Sequence, residues 1–383
     1  MSTCVNTFKN FPVGKGKHAI MCNENGLVMA DGILLHTDEN EYISYFLSPY
    51  QDYVLAKSGF NAVGENLTGR VFLFQLGGPD SLAILEAASG ENLHDIKFIH
   101  HRMSSIAGKK VRILRAGMAG SLGYEVHGRM EDALSVYDAI MQAGKSRNMR
   151  RLGMPAYNMT HWENGFPNSF LDYLPPWYDD AGFAGMMASM LPGMGDTASR
   201  IGGGKANHGY SNTRFTGSAG NDAAKWFKNP VELGWAKMIN FNHDFVGKSA
   251  LEKIVKENKR TMVTLEWNVD DVLEIHRSQL TDGTPYQDIS ASDDVNYGNS
   301  VYHADIVLSG DKDIGISTGR MVSPYYQRMI SLCTIDTEFS AIGSEVTVLW
   351  GEPGTKQKRV RATVARFPYM DENRNETVDV STL

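Results

Sequence analysis

The first third of the chain alternates short apolar runs with turn residues. "HAIMCNENG", "ADGILLHT" and "RVFLFQLGG", within about residues 18–76, predict strands, and the Asn-Glu-Asn-Gly stretch predicts a turn after the first. The spacing changes at "GPDSLAILEAASG". There Pro79 and Asp80 predict a helix start, Leu82, Ile84 and Leu85 its apolar positions, and Gly90 its stop. "KKVRILRAGMAG" returns to a strand pattern. "MEDALSVYDAIMQAG" then puts Ala133, Leu134, Tyr137, Ile140 and Met141 on one helical face, ended by Gly144. Strands mixed with a few helices over residues 1–150 form an α+β pattern.

Residues 165–230 break this periodicity. They are rich in Gly, Pro, Met, Asn and aromatics, and the aromatics predict an ordered, irregular wall over a cavity rather than a disordered linker. "FVGKSALEKIVKENK" predicts a helix with Lys253, Lys256 and Lys259 near its end, where the helix dipole favours cations. Beyond about residue 260 the pattern turns almost purely β: "RTMVTLEW", "HADIVLS", "MISLCTI", "SEVTVLW" and "RVRATVARF" predict a closed or sandwiched β domain. The expected division is an α+β region over 1–257 and a β-barrel domain over 258–383. There is no evident internal repeat, heptad run or charge block.

Composition narrows the function. The chain has 383 residues, 42% hydrophobic and 21% charged, with a net charge of −7. That balance speaks against a general nucleic-acid or membrane-surface binder, which needs a basic footprint. No segment approaches the roughly 18 apolar residues that span a bilayer, and the start lacks a secretory pattern. Cys4, Cys22 and Cys333 form neither a disulfide framework nor a zinc-spaced cluster, so packed thiols in a reducing cytoplasm are expected.

Candidate chemistry is concentrated in two places. In "RILRAGMAGSLGYEVHG" an acid, Glu125, follows Tyr124 inside an apolar, glycine-flanked strand. A buried carboxylate must be paired or hydrogen-bonded, so Glu125 either meets an internal partner such as Arg115 or awaits a ligand carrying donors. "YNMTHWENGFPNSFLDYLPPWYDD" gathers Tyr157, His161, Trp162, Phe166, Phe170, Tyr173, Trp177 and Tyr178. Such density closes a core or lines a pocket for a flat ligand, and Tyr157 and His161 are both able to move protons. Elsewhere the signals are plain. "IGGGKANHGYSN" lacks the spacing and hydroxyl of a phosphate loop and predicts a flexible turn. His100 and His101 read as polar surface histidines. Zinc-protease, CxxC and nucleophile-elbow motifs do not occur.

Several segments in order resemble the glycine-cleavage T-protein superfamily of folate-dependent one-carbon transferases. "FPVGKGKHAIMCNENGLVMADGILLH" resembles that family's turn-and-strand segment ending in its aspartate, here Asp31. "FQLGGPDSLAIL" resembles its strand-to-helix step, and "GMAGSLGYEVHG" its signature around a pterin-gripping glutamate, which falls on Glu125. "VELGWAKMINFNHDFVGKSALEK", "IGISTGRMVSPYYQRMISLCTID" and "SEVTVLWGEPGTKQKRVRATVARFPY" are similar to its later segments and C-terminal barrel. The resemblance implies a T-protein-like fold with ferredoxin-like α+β lobes over 1–257, a C-terminal β-barrel, and tetrahydrofolate as cofactor. It makes Glu125 the acceptor for the pterin's adjacent N–H donors, with Gln75 and Tyr124 beside it. The family segment that ends at Asp31 stands near the start here, so the N-terminal part of the family fold is expected to be missing.

Departures from the T-protein point to a subgroup. Its aspartate pair reads Ala30–Asp31, and its arginine-bearing segment is replaced by "GMPAYNMTHWENGFPNSF". These features look more like tetrahydrofolate-dependent aromatic O-demethylases of the vanillate and syringate type. The resemblance implies methyl transfer from a methoxylated aromatic acid to tetrahydrofolate. Tyr157 and His161 would handle the proton, Asp31 would orient the folate, and Trp162, Phe166 and Trp177 would form the substrate wall, with no metal. The alternatives are an aminomethyltransferase or other methylamine-handling enzyme, a non-catalytic folate-binding protein, and a truncated inactive paralogue.

Overall fold

The computed structural model describes residues 2–190, 214–289, 301–371 and 373–383. Strands β1 (Gly16–Cys22), β2 (Val28–Asp38) and β3 (Glu41–Tyr45) form an antiparallel sheet in that order. The expected turn joins the first two: Asn23 accepts from the backbone of Asn25 and Leu27, and Gly26 takes a φ of 76°. Residues 18–76 are not all strand. Helix α1 (Tyr50–Ser58) follows β3, because Tyr50 and Tyr53 turn one face onto Phe183.

The next sheet carries the acid. Strands β4 (Val71–Gly77), β5 (His101–Ile106), β6 (Lys109–Leu114) and β7 (Gly123–Arg129) pair antiparallel in the order β4-β7-β6-β5. Helices α2 (Ser81–Ser89) and α3 (Ala133–Gly144) cover one face, with Gly90 capping α2 in the left-handed conformation as its sequence predicts. Phe72, Leu76, Val111, Ile113, Tyr124 and Val126 point from the strands into that core. Each such side chain removed from water contributes on the order of 2 kcal/mol. In α3 the inward stripe is Val136, Ile140 and Gly144, whereas Leu134, expected inside, is exposed. Side chains four apart stack on a helix, and Gly144 lets the chain of Met149 approach closely. His101, expected at the surface, is buried and accepts a hydrogen bond from Arg112 at 2.8 Å.

Helix α4 (Met154–Glu163) follows, then an irregular stretch containing α5 (Ala181–Met190), which weak periodicity had not predicted. The short strand β8 (Arg214–Thr216) comes next. The glycine-rich turn expected at residues 201–212 lies outside the described residues, as does part of the 165–230 insertion. Helix α6 (Lys248–Glu257) buries Leu251 and pairs Glu257 with Lys253 and Lys259.

From β9 (Arg260–Trp267) onward the expected barrel is present. Beside β10 (Val301–His303), which pairs with β8, the barrel strands are β9, β11 (Asp305–Ser309), β12 (Lys312–Ser323), β13 (Arg328–Asp336), β14 (Glu345–Trp350) and β15 (Lys358–Ala365). They close in the order β11-β12-β13-β9-β15-β14 around alternating residues such as Val263, Leu265, Val346, Val348 and Val360. The region is not purely β. Helix α7 (Val269–Ser278) interrupts it, started by Asn268 capping the Asp271 amide. All three cysteines are unpaired and buried. No helix among the described residues is long and apolar enough to cross a membrane.

Candidate functional site

Strand parity places Glu125. On β7 it alternates with Tyr124 and Val126, so its carboxylate faces away from the helices, together with His127. Gln75 on β4 is its register partner on one side, and Leu114 on β6 on the other. The carboxylate accepts from His127 Nε2 at 3.0 Å. Among the described residues no lysine or arginine pairs with it. Arg115 is committed elsewhere, donating to the carbonyls of Asn375 and Val378 at 2.7 and 2.6 Å. The Arg115 explanation for Glu125 is thereby removed. Tyr45 packs edge-on against His127, with ring centroids 4.7 Å apart. Burial first, and the charge of Glu125 next, push the Tyr45 phenol up to about 12.

The first sheet closes onto this open face through Leu35, Leu114 and Ala116, with Ile33 and Tyr45 packed against them. Asp31 shares the β2 face of Ile33, one alternation away. His18 Nε2 meets Asp31 Oδ2 at 3.0 Å, and the hydroxyl of Tyr173 donates to Oδ1. Burial, reinforced by Asp31, pushes the Tyr173 phenol upward, so it stays a donor.

Helix α4 and the turn after it add the proton-handling groups. His161 is fully buried, its ring 4.5 Å from that of Tyr157 and 6.1 Å from that of Phe166. Nδ1 contacts the Phe166 carbonyl at 3.2 Å; a carbonyl only accepts, so Nδ1 carries the hydrogen. Burial holds the imidazole down at about 4, against the opposing pull of that carbonyl and of Asp31. His161 is therefore neutral, and its buried Nε2 is a bare acceptor with no partner. One turn earlier Asn158, fully buried, leaves both side-chain polar atoms unpaired. Orphaned buried polar atoms cost about 1–3 kcal/mol each, a cost a ligand can offset.

Comparison with known proteins decides the family. Residues 2–174 match the GCVT N-terminal domain family. A sesamin methylene transferase from Sinomonas sp. is 44% identical over 390 residues, covering 100% of this chain and 83% of that protein. A syringate O-demethylase from Sphingobium sp. is 31% identical over 389 residues, covering 95% of this chain and 80% of that protein. The chain belongs to this aminomethyltransferase family. It is an enzyme of one-carbon transfer, with an aminomethyltransferase from Bacillus pumilus standing further off at 22% identity over 365 residues, 93% of this chain and 77% of that protein. The glycine cleavage system aminomethyltransferase T from Bartonella henselae shares its fold, with a TM-score of 0.64 at 14% identity over 97% of this chain and 80% of that one.

The structure distributes the expected family residues unevenly. Glu125 and Gln75 stand together; Asp31 and Phe166 meet His18, and His161, with Tyr157 beside it, meets Phe166. Tyr124 is not with them. It is fully buried in the helix-covered core, on the opposite face from Glu125. Of the three wall aromatics Phe166 meets His18, with ring centroids 5.4 Å apart. Trp162 is a core residue whose indole N–H donates to Asp172 at 3.1 Å. Trp177 donates to the Met29 carbonyl at 2.6 Å within the cluster on the other side of the first sheet. A groove of about 900 Å³ beside Val272, Leu273 and His276 on the barrel contains none of the candidates.

Sequence reasoning missed His18, His127, Tyr45, Asn158 and Trp235. Period-two spacing could have found two of them: His127 follows Glu125, and His18 precedes Ile20 across from Asp31. Nothing local marks Tyr45 or Trp235, whose ring stands 5.0 Å from that of His18 and 5.7 Å from that of Phe166; both positions depend on packing between distant segments.

Proposed function

We propose that the chain moves a one-carbon unit from an aryl ether oxygen to tetrahydrofolate. The observation that carries this reading is the Glu125–Gln75 register pair on the open sheet face, where the acid has one histidine partner and no countercation among the described residues. An acceptor-only carboxylate fits a ring edge with adjacent N–H donors. The named substrates of the two nearer relatives support the donor class. Syringate carries methoxyl groups, and sesamin carries methylene bridged between aryl oxygens. The finer reading is a methyl donor of the methoxylated aromatic acid type; a methylenedioxy ring is the second reading, favoured by the higher identity to the sesamin enzyme.

Tetrahydrofolate, when bound, would supply the amine nitrogen that takes the carbon from the aryl oxygen. Glu125 and Gln75 hold the pterin. Asp31, fixed by Tyr173 and His18, would orient the reacting end and accept the proton the amine gives up as the carbon joins it, which balances the proton Tyr157 delivers to the aryl oxygen. Tyr157 gives a hydrogen bond, and finally a proton, to the departing aryl oxygen, which otherwise leaves poorly. His161 serves as an acceptor beside Tyr157, since its neutral Nε2 has no hydrogen to give. Phe166 flanks the aromatic donor. Water is kept from the carbon in transit by the packed aromatics around α4.

The test is anaerobic incubation with tetrahydrofolate and, separately, syringate, vanillate, sesamin and dimethylglycine, followed by mass spectrometry of the folate. Methylfolate from the methoxybenzoates supports demethylation. Methylenefolate with a released catechol supports the methylene reading. Turnover of dimethylglycine alone, or of none of the four, overturns the proposal.

A further inference from the structure

The segment that leaves the barrel does not stay with it. After β15 the Tyr369 hydroxyl donates to Glu266, and the Met370 amide donates to the Glu163 carbonyl at 2.8 Å, which turns the chain toward α4. It then reaches the sheet that carries Glu125. Val380 is buried in the helix-covered core of that sheet. Arg115, itself buried, donates to the carbonyls of Asn375 and Val378 and fixes the segment at both points.

Asn375 is fully buried, and its two side-chain ends behave differently. Oδ1 accepts from the Gly123 amide at 3.2 Å, two residues before Glu125. Nδ2 has no partner. A Cβ built on Gly117 would lie 3.3 Å from that Nδ2 and 3.5 Å from Gln75 Nε2, so the two amide ends converge on one glycine. Gln75 is in turn the register partner of Glu125. A buried, unused NH2 group is destabilising, and an apolar side chain there would avoid that penalty. Its position beside the two proposed cofactor contacts gives it a use. A reduced pterin carries a ring carbonyl next to the N–H donors that a carboxylate takes, so a site complementary to it needs a donor beside the acid.

We propose that Asn375 is a cofactor-binding residue, its Nδ2 donating to the ring carbonyl of the pterin while Glu125 accepts from the neighbouring N–H groups. This inference rests on the tetrahydrofolate reading above. It makes the site a product of both ends of the chain: the residues that match the GCVT N-terminal domain, 2–174, supply the acid, and the segment beyond the barrel supplies the donor.

The experiment pairs Asn375→Asp with two ligands. Aspartate keeps an oxygen for the Gly123 amide and replaces the free donor with an acceptor. Binding is measured calorimetrically for tetrahydrofolate and for its 4-amino analogue, in which the ring carbonyl becomes a donor, with circular dichroism and thermal melting as controls of folding. The expected result is a loss of about tenfold or more for tetrahydrofolate, with a much smaller loss or a gain for the 4-amino analogue. An equal loss for both ligands, as general unfolding or added negative charge would produce, overturns the assignment, and so does no loss for either. Wild-type protein that ignores tetrahydrofolate altogether sinks the cofactor reading itself. Wild type that binds while Asn375→Asp shows no ligand-dependent change sinks only this inference.

Discussion

Tyr173 donates its phenolic hydrogen to Oδ1 of Asp31 across 142 residues of sequence. His18 holds the other carboxylate oxygen at 3.0 Å, so Asp31 enters the site with its orientation set. Preorganised acceptors act without reorganising during the reaction. Tyr173→Phe removes one of the two anchors. The expected outcome is a drop of about tenfold or more in single-turnover rate, with tetrahydrofolate affinity nearly unchanged. Stability should fall by about 1–2 kcal/mol in urea unfolding. A variant that turns over at the wild-type rate removes Asp31's orientation from the mechanism.

Glu125 is tested by Glu125→Gln, which keeps shape but replaces one acceptor oxygen with an NH2. The pterin would then meet a donor where it needs an acceptor. Charge-assisted hydrogen bonds contribute about 1.5–3 kcal/mol, so affinity for tetrahydrofolate should fall by roughly 10- to 200-fold. Gln75→Leu should cost less, since it removes a neutral contact. Calorimetry reads both. Undiminished affinity in Glu125→Gln means that the strand acid does not hold the cofactor.

How much of this was legible in the chain depends on range. Local patterns reported Gly90 as a helix stop, the turn around Gly26 and the strands of the barrel, because each is set by neighbours within a few residues. Helices α1, α4, α5 and α7 were not predicted. Tyr50 and Tyr53 on α1 are held by contact with distant Phe183, whereas α7 carries local signals of its own, an Asn268 cap, Asp270 and Asp271 in its first turn and His276 and Arg277 in its last, set between two strands of a β-rich region. Family resemblance singled out Glu125, Gln75 and Asp31 as candidates, and the structure makes the first two register partners. Strand parity then separated Tyr124 from its neighbour, a distinction a motif cannot make. Trp162 and Trp177 looked like pocket walls from their density alone, yet each indole N–H is used to satisfy a buried oxygen of the fold.

His161 couples the site to acid stability. Its folded value, about 4, lies below the ordinary histidine value of about 6.5. Between these the unfolded chain takes up a proton that the folded chain refuses, so folding stability falls as pH drops through this window. The full effect is on the order of 3 kcal/mol and is absent above about pH 7. His101, held down to about 4 by burial and by Arg112, acts with the same sign. Urea unfolding from pH 4 to 8 should therefore show a shallower pH dependence in His161→Phe than in wild type. Parallel curves for the two proteins place the acid sensitivity elsewhere.

In the proposed reaction, Tyr157 is the group that assists the departing aryl oxygen. Its ring stands 4.5 Å from that of His161, whose free Nε2 accepts but does not donate, so the tyrosine hydroxyl is the group of this pair with a hydrogen to offer. Loss of a positioned general acid costs about 10²–10⁴ in rate. Tyr157→Phe should therefore lower turnover of the methoxylated or methylenedioxy donor within that range while tetrahydrofolate affinity persists, because Glu125 and Gln75 lie on a different element. The decisive comparison uses donors with progressively better leaving groups. A nitro-substituted methoxybenzoate, whose phenolate departs readily, should recover much of the lost rate in Tyr157→Phe. If the deficit is equal for good and poor leaving groups, Tyr157 positions the substrate instead, and the proton must come from another donor.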